Sequence, residues 1–225
     1  MSSVTPPPTA SGGRLGIVSV AFGLDCPYPV AAERAAELGF DHLDIGLDRL
    51  VDGREEPLPL PVGDRVGVEP RAGCTCVPPR GCTWDEGVAL LSSQPDIRVE
   101  PGPGSLLDNV AAVRAMCDAV PGLTITLDTG WAVCCGYDPL ELADLAGHVQ
   151  LRQARPGRPQ LHPDQPGDVD FAAFIGGLAD RGYQGRFSVE YFDLPHLGLP
   201  LADPVGHCVA LAEQVRPLLA GSGAR

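Results

Sequence analysis

Residues 123–128 read Leu123-Thr124-Ile125-Thr126-Leu127-Asp128, a β-branched, strand-like run that ends on a carboxylate. Three further runs carry an oxygen-bearing side chain at or near their carboxyl ends: Asp96-Ile97-Arg98-Val99-Glu100, His148-Val149-Gln150-Leu151 and Arg186-Phe187-Ser188-Val189-Glu190. The parallel strands of a closed barrel bring all their carboxyl ends to one mouth. Glu100, Asp128, Gln150 and Glu190 are therefore expected to converge there. Three carboxylates and an amide oxygen make a hard-oxygen donor set, suited to Mg²⁺, Mn²⁺ or a similar ion. Such an ion would offset the repulsion among the carboxylates.

Working outward, short β-branched runs alternate with amphipathic segments. Leu15 to Phe22 reads as a strand, Pro29 to Leu38 as a helix stopped by Gly39, and His42 to Leu47 as a second strand. The stretch 48–82 is proline-rich and irregular, with one strand at Arg65 to Glu69. Thr83-x-x-Glu86 is a capping box that opens a helix ending near Ser93. After strand 96–100, Ser105-x-x-Asp108 gives a second capping signal. The helix it predicts has Leu106, Val110, Val113, Cys117 and Val120 on its apolar face. Asp138-Pro139 opens another helix, closed by Gly147. Strand 148–153, helix 170–181, strand 186–191 and helix 204–220 follow.

This alternation argues for βα units and a parallel sheet, hence an α/β fold of the TIM-type (β/α) barrel class. About seven strands are recognisable by these signals. One unit is read as shortened within 48–95, so the expectation is an irregular or incomplete barrel. Residues 14–220 form the single domain. Residues 1–13 read as a disordered Ser/Thr/Pro/Gly-rich leader, and 221–225 as a tail.

The 225 residues are 44% apolar and 20% charged, the balance of a soluble globular chain. No apolar run reaches the roughly 18 residues of a membrane span. The start has neither a basic head nor an apolar h-region, which makes the cytoplasm the expected location. Net charge is −13, and no basic stripe is present, against a nucleic-acid partner. All 16 basic residues are arginine, so amine-based Schiff-base catalysis is excluded. Of the eight cysteines, Cys117 and Cys208 read as core packing on apolar helix faces. Cys74-x-Cys76 with Cys82 lacks the paired CxxC spacing of zinc modules, and loop or buried thiols are favoured over a zinc cluster.

From Ile97 to Tyr191 the chain resembles the xylose-isomerase-like TIM-barrel superfamily of sugar isomerases and epimerases. The segments that carry the resemblance are Val99-Glu100-Pro101, Leu127-Asp128-Thr129-Gly130, His148-Val149-Gln150-Leu151, Gly167-Asp168-Val169-Asp170-Phe171 and Gly182-Tyr183-Gln184-Gly185 with Val189-Glu190-Tyr191. The stretch from Leu38 to Ile45 is a weaker echo. The resemblance implies a metal held by Glu, Asp, His and Glu. Glu100, Asp128 and Glu190 match three of these positions. Gln150 stands at the histidine position, and Trp131 replaces the histidine of the Asp-x-x-His motif. Gln153 replaces a common acidic residue. These departures point to a harder metal, a weak site or a lost one.

What the resemblance implies for chemistry is proton abstraction beside a carbonyl of a polyhydroxylated small molecule. Glu100 and Glu190 would be the catalytic pair, and Glu100, Asp128, Gln150 and Glu190 the ligands of a divalent cation, Mn²⁺ or Mg²⁺. The expected class is a metal-dependent isomerase, epimerase or related lyase. The alternative is a metal-free barrel with altered or no chemistry, serving as a binding or accessory protein. Candidate substrate contacts are Trp131 as the floor for a sugar ring, Arg152 and Arg155 for hydroxyls or phosphate, and His42 and His196 near strand ends. His162 reads as polar surface, and an endonuclease is disfavoured by charge and histidine count. Oligomeric state stays open, a homo-oligomer included.

Overall fold

Side chains along a barrel strand alternate between the lumen and the encircling helices, so strand parity decides which residues can meet. The computed structural model of the chain describes residues 15–47, 58–67 and 69–222. Its strands, in chain order, are β1 (Leu15–Val18), β2 (Leu43–Gly46), β3 (Val62–Gly67), β4 (Thr75–Cys76), β5 (Arg98–Val99), β6 (Thr124–Asp128), β7 (Ala146–Leu151), β8 (Gln153–Arg155), β9 (Arg158–Leu161) and β10 (Phe187–Val189). All but β8 and β9 close into a parallel barrel of order β1-β10-β7-β6-β5-β4-β3-β2. The helices are α1 (Tyr28–Glu37), α2 (Trp84–Leu91), α3 (Val110–Ala119), α4 (Thr129–Cys135), α5 (Phe171–Asp180) and α6 (Pro204–Ser222).

The barrel is complete, which corrects the expectation of a seven-stranded or open one. Its eighth strand is Thr75-Cys76, joined to Val66-Gly67 on one side and Arg98-Val99 on the other. β3 lies at 62–67 rather than 65–69, and Val68 is outside the described residues. The leader 1–13, residues 223–225 of the tail and residues 48–57 of the proline-rich stretch are also outside them.

The Thr83 capping box forms as predicted, with Glu86 returning a bond to the Thr83 N–H. α3 starts four residues later than the Ser105 signal implies, capped by Asn109, whose side chain accepts from Ala112 N at 2.9 Å. Ser105 instead pins a turn, donating to the Gly102 carbonyl at 2.7 Å. Asp138-Pro139 opens a 3-10 segment, Pro139–Leu145.

Outward-facing Ile17, Leu43, Ile45, Val99, Ile125, Leu127, Val149, Leu151 and Val189 join helix residues such as Ala31, Leu91, Met116, Phe174 and Val215 in one apolar core. Cys208 is buried in that core, whereas Cys117 is half-buried at its edge. Among the described residues Cys74, Cys76 and Cys82 form no three-ligand cluster, and burial pushes the Cys76 thiol up to about 12.

The lumen, by contrast, is polar. His148 Nε2 lies 2.8 Å from Asp44 Oδ2, and His42 Nε2 lies 3.0 Å from Ser188 Oγ. Thr75 donates to Asp64 at 2.6 Å and Arg98 Nη2 donates to the same carboxylate at 2.5 Å. A Cβ at Gly16 or Gly63 would collide with the His42 ring, so both glycines clear its berth.

Candidate active site

Asp128 closes β6 and is at once the N-cap of α4, its Oδ1 accepting from Trp131 N at 2.7 Å. An Asp cap satisfies an orphan N–H at the helix start. Here it also fixes one carboxylate at the barrel mouth. The strand register sets Gln150 directly beside Asp128, and Glu190 follows β10 with its N–H bonded to the Leu151 carbonyl at 3.0 Å. Glu100 follows β5, its N–H bonded to the Cys76 carbonyl at 3.1 Å. Oxygens of Glu100, Asp128 and Glu190 lie within 4.8 Å of one another. The expected convergence of strand-end carboxylates is thus present.

Burial and crowding raise the affinity of these groups for protons. Glu100 is pushed up to about 8, first by withdrawal from water and then by the Asp128 charge. Glu190 is held well above the usual carboxylate range, again first by burial; Arg152 opposes this, while Asp128 and Glu100 add to it. Packing like charges into one dry space does this unless a cation offsets them.

One cation is already part of the site. Arg152 is 0% exposed. Its Nη2 lies 2.7 Å from Asp128 Oδ2 and 3.3 Å from Glu190 Oε2, and its Nε donates to Asp128 Oδ1 at 3.1 Å. The Nη2 contacts are close ion pairs that lack hydrogen-bond alignment, because the same nitrogen has no hydrogen-bond partner among the described residues. The guanidinium carbon sits 4.4 Å from the Trp131 ring centre and 5.0 Å from that of Phe192. These carboxylates hold Arg152 more firmly protonated against the cost of its burial.

The donor set has the chemistry of a hard-cation site. It offers three carboxylate oxygens and the Gln150 Oε1, buried and without a hydrogen-bond partner among the described residues. Imidazole donors are absent from the two positions where the family resemblance expects them, now Gln150 and Trp131. Trp131 is half-buried and, through its hydrogen bond, favours the charged form of Glu100.

The remaining candidates disperse. Arg155 is exposed at the β8–β9 hairpin, and His196 is exposed on the loop after β10. His42 immediately precedes β2 and is 1% exposed, which places it at the amino-terminal end of the barrel, opposite the gathered carboxylates. Asp44 is in the lumen paired with His148. His162 is half-buried, 3.6 Å from Asp164 and edge-on to His207.

Three contributors were missed by sequence reasoning: Thr129, Gly130 and Phe192. Thr129 Oγ1 both donates to the Arg152 carbonyl at 2.9 Å and accepts from Arg152 N at 3.0 Å. A Cβ at Gly130 would overlap Nε and Cγ of Arg152 and the Pro159 carbonyl. Gln153, read as a replaced acidic position, buttresses the backbone: its Oε1 accepts from Ala154 N and Val169 N, each at 3.0 Å.

A family model described as xylose isomerase-like TIM barrel matches residues 85–207. Among solved structures, an L-ribulose 3-epimerase superposes with TM-score 0.67 at 15% identity, covering 93% of this chain and 95% of its own. A Mycobacterium smegmatis xylose isomerase-like TIM barrel protein in complex with magnesium gives 0.68 at 13% identity, with coverages of 94% and 98%. A D-psicose 3-epimerase from Clostridium cellulolyticum H10, solved with D-tagatose, gives 0.64 at 14% identity, with 93% and 98%. At such identities these structures speak to the fold alone. No curated protein matches the chain. Among the described residues no helix is long and apolar enough to cross a membrane.

Proposed function

The chain belongs to the xylose isomerase-like TIM-barrel family, and on that premise we propose that it is an isomerase, epimerase or related lyase. Its substrate would be a polyhydroxylated small molecule bearing a carbonyl, and its chemistry proton transfer at the adjacent carbon. The observation that carries the reading is the gathering of Glu100, Asp128 and Glu190 oxygens within 4.8 Å at the carboxyl end of the barrel. Residues at that end of a parallel barrel are where its enzymes do chemistry. The names of two structural neighbours, an L-ribulose 3-epimerase and a D-psicose 3-epimerase, support a small sugar as the substrate class.

Glu100 and Glu190 come from strands separated by β6 and β7 in the barrel order, so they face the site from different sides. That arrangement suits one glutamate taking a proton and the other returning it. Asp128 fixes the position of Arg152 and Trp131 offers an apolar ring face beside it. The enolate-like oxygen formed on proton loss needs positive charge or hydrogen-bond donors close by. A divalent cation, Mn²⁺ or Mg²⁺, would supply a Lewis acid for the carbonyl, but it would need the oxygens of Glu100, Asp128, Gln150 and Glu190, and the carboxylates of Asp128 and Glu190 already pair with Arg152. A second reading, a binding protein that keeps the barrel without turnover, is favoured by Gln150 and Trp131 where imidazoles are expected.

The test is incubation of the protein in deuterated water with a panel of ketoses, inososes and hydroxy-keto acids, followed by NMR. Deuterium entering the carbon beside the carbonyl supports proton transfer. No label in any member of the panel favours the binding protein.

A further inference from the structure

Four consecutive residues, Asp128-Thr129-Gly130-Trp131, each act on Arg152. Asp128 pairs with its guanidinium at Nε and Nη2, and Thr129 clamps its backbone on both sides. Gly130 leaves the space its side chain fills, and Trp131 lies against the guanidinium face, with Phe192 also within stacking range. A surface arginine that has merely folded inward would not be supported on so many sides. Unlike lysine, arginine does not shed its proton to escape burial, so its charge stays in the site.

The guanidinium also has unused hydrogen-bonding capacity. Nη1 and Nη2 have no hydrogen-bond partner among the described residues. Around them Asp128 Oδ2, Gln150 Oε1 and Glu190 Oε2 are buried and likewise without one. Buried polar groups are rarely left so, and a cluster of them marks the place of a ligand. Donors on one cation beside several acceptors complement a carbonyl oxygen flanked by hydroxyl groups.

We infer that Arg152 is the resident cation of this site, holding the place between Asp128 and Glu190 that a divalent ion would need, and that its Nη hydrogens meet the substrate oxygen on which charge develops. The inference rests on the proton-transfer reading and names its electrophile. A C–H bond beside the carbonyl breaks, its proton passes to one glutamate carboxylate, and the electron pair moves through the new C=C bond onto the carbonyl oxygen. The guanidinium stabilises that oxygen by hydrogen bonding. Protonation of the same carbon by the other glutamate reforms C–H and restores the carbonyl. No oxidant, reductant or co-reactant is consumed. A divalent ion competing for the same carboxylates would have to displace a guanidinium wedged between Trp131, Phe192 and the Gly130 backbone.

The test compares wild type with Arg152→Gln, reading melting temperature against added Mn²⁺ or Mg²⁺ and deuterium exchange with and without EDTA. Wild type is expected to show no saturable metal-dependent rise and exchange that resists EDTA. Arg152→Gln is expected to lose exchange on the order of a hundredfold, as when an oxyanion donor is removed. With its carboxylates freed, it is also expected to acquire a saturable rise in melting temperature with Mn²⁺. A saturable rise in wild type, exchange abolished by EDTA, or Arg152→Gln exchanging at the wild-type rate would each overturn the inference. Should Arg152→Gln not fold, Arg152→Lys retains the charge, and the wild-type metal and EDTA arms still decide. Should no substrate exchange at all, the proton-transfer reading fails, while the melting arm alone still tests whether Arg152 holds the cation's place.

Discussion

Replacing His42 by Gln should flatten the acid limb of the protein's stability curve. His42 is 1% exposed in the lumen and bonded to Ser188. The groups facing it are Asp44, His148, Arg186 and Asp41. Burial, the largest cause, lowers its pKa from 6.5 to about 4, against the pull of the Asp44 charge. The folded state therefore keeps this ring neutral where the unfolded chain would protonate it. Its contribution is fully present above pH 6.5 and is lost as the pH falls towards about 4. At about 1.4 kcal/mol per unit, that loss amounts to about 3 kcal/mol.

His148 works with the opposite sign. Burial opposes its charge, but the Asp44 charge and hydrogen bond prevail and raise its pKa, so its contribution is present below pH 6.5 and fades as the pH rises past the folded value. Both proteins share that limb, and the difference between them isolates His42. The assay is urea denaturation at a series of pH values, with stability from linear extrapolation. Wild type should lose about 3 kcal/mol more than His42→Gln over the acid interval. Parallel curves for the two proteins would refute the reasoning.

Two other substitutions probe the supports of the site. Gly130→Ala places a methyl group against Arg152 and the Pro159 carbonyl, so it should lower stability by about 1–3 kcal/mol, read as a fall in melting temperature. An unchanged melting temperature would show that Arg152 is not held against Gly130. Asp44→Asn leaves buried His148 without its anionic partner and should cost about 3–5 kcal/mol in chemical denaturation at neutral pH. A loss below about 1 kcal/mol would mean that the pair is worth no more than a surface ion pair.

The barrel mouth was legible because strand-end carboxylates announce themselves: Glu100, Asp128 and Glu190 each follow a β-branched run. Thr75-Cys76 was not, since two residues carry no alternation, and the strand exists only because Gly67 and Val99 offer it paired edges. The β8–β9 hairpin left a signal in Pro156-Gly157, a turn dipeptide just beyond the strand read at 148–153. The placement of Arg152 was beyond composition or periodicity. Arginine reads as surface by default, and its burial is imposed by residues 128–131, by Glu190 and by Phe192, partners that folding brings together. His42 looked like a strand-end group, but only the start of β2 at Leu43 shows which end it occupies.

The central claim, proton transfer by a glutamate pair, is tested most directly by the rate of solvent-deuterium incorporation in Glu100→Gln and Glu190→Gln beside wild type. Each substitution keeps size and an amide oxygen while removing a carboxylate, so melting behaviour should change little. Incorporation should fall on the order of a hundredfold or more in each variant, the effect of losing a general base or acid. Incorporation at the wild-type rate in both variants would contradict the account.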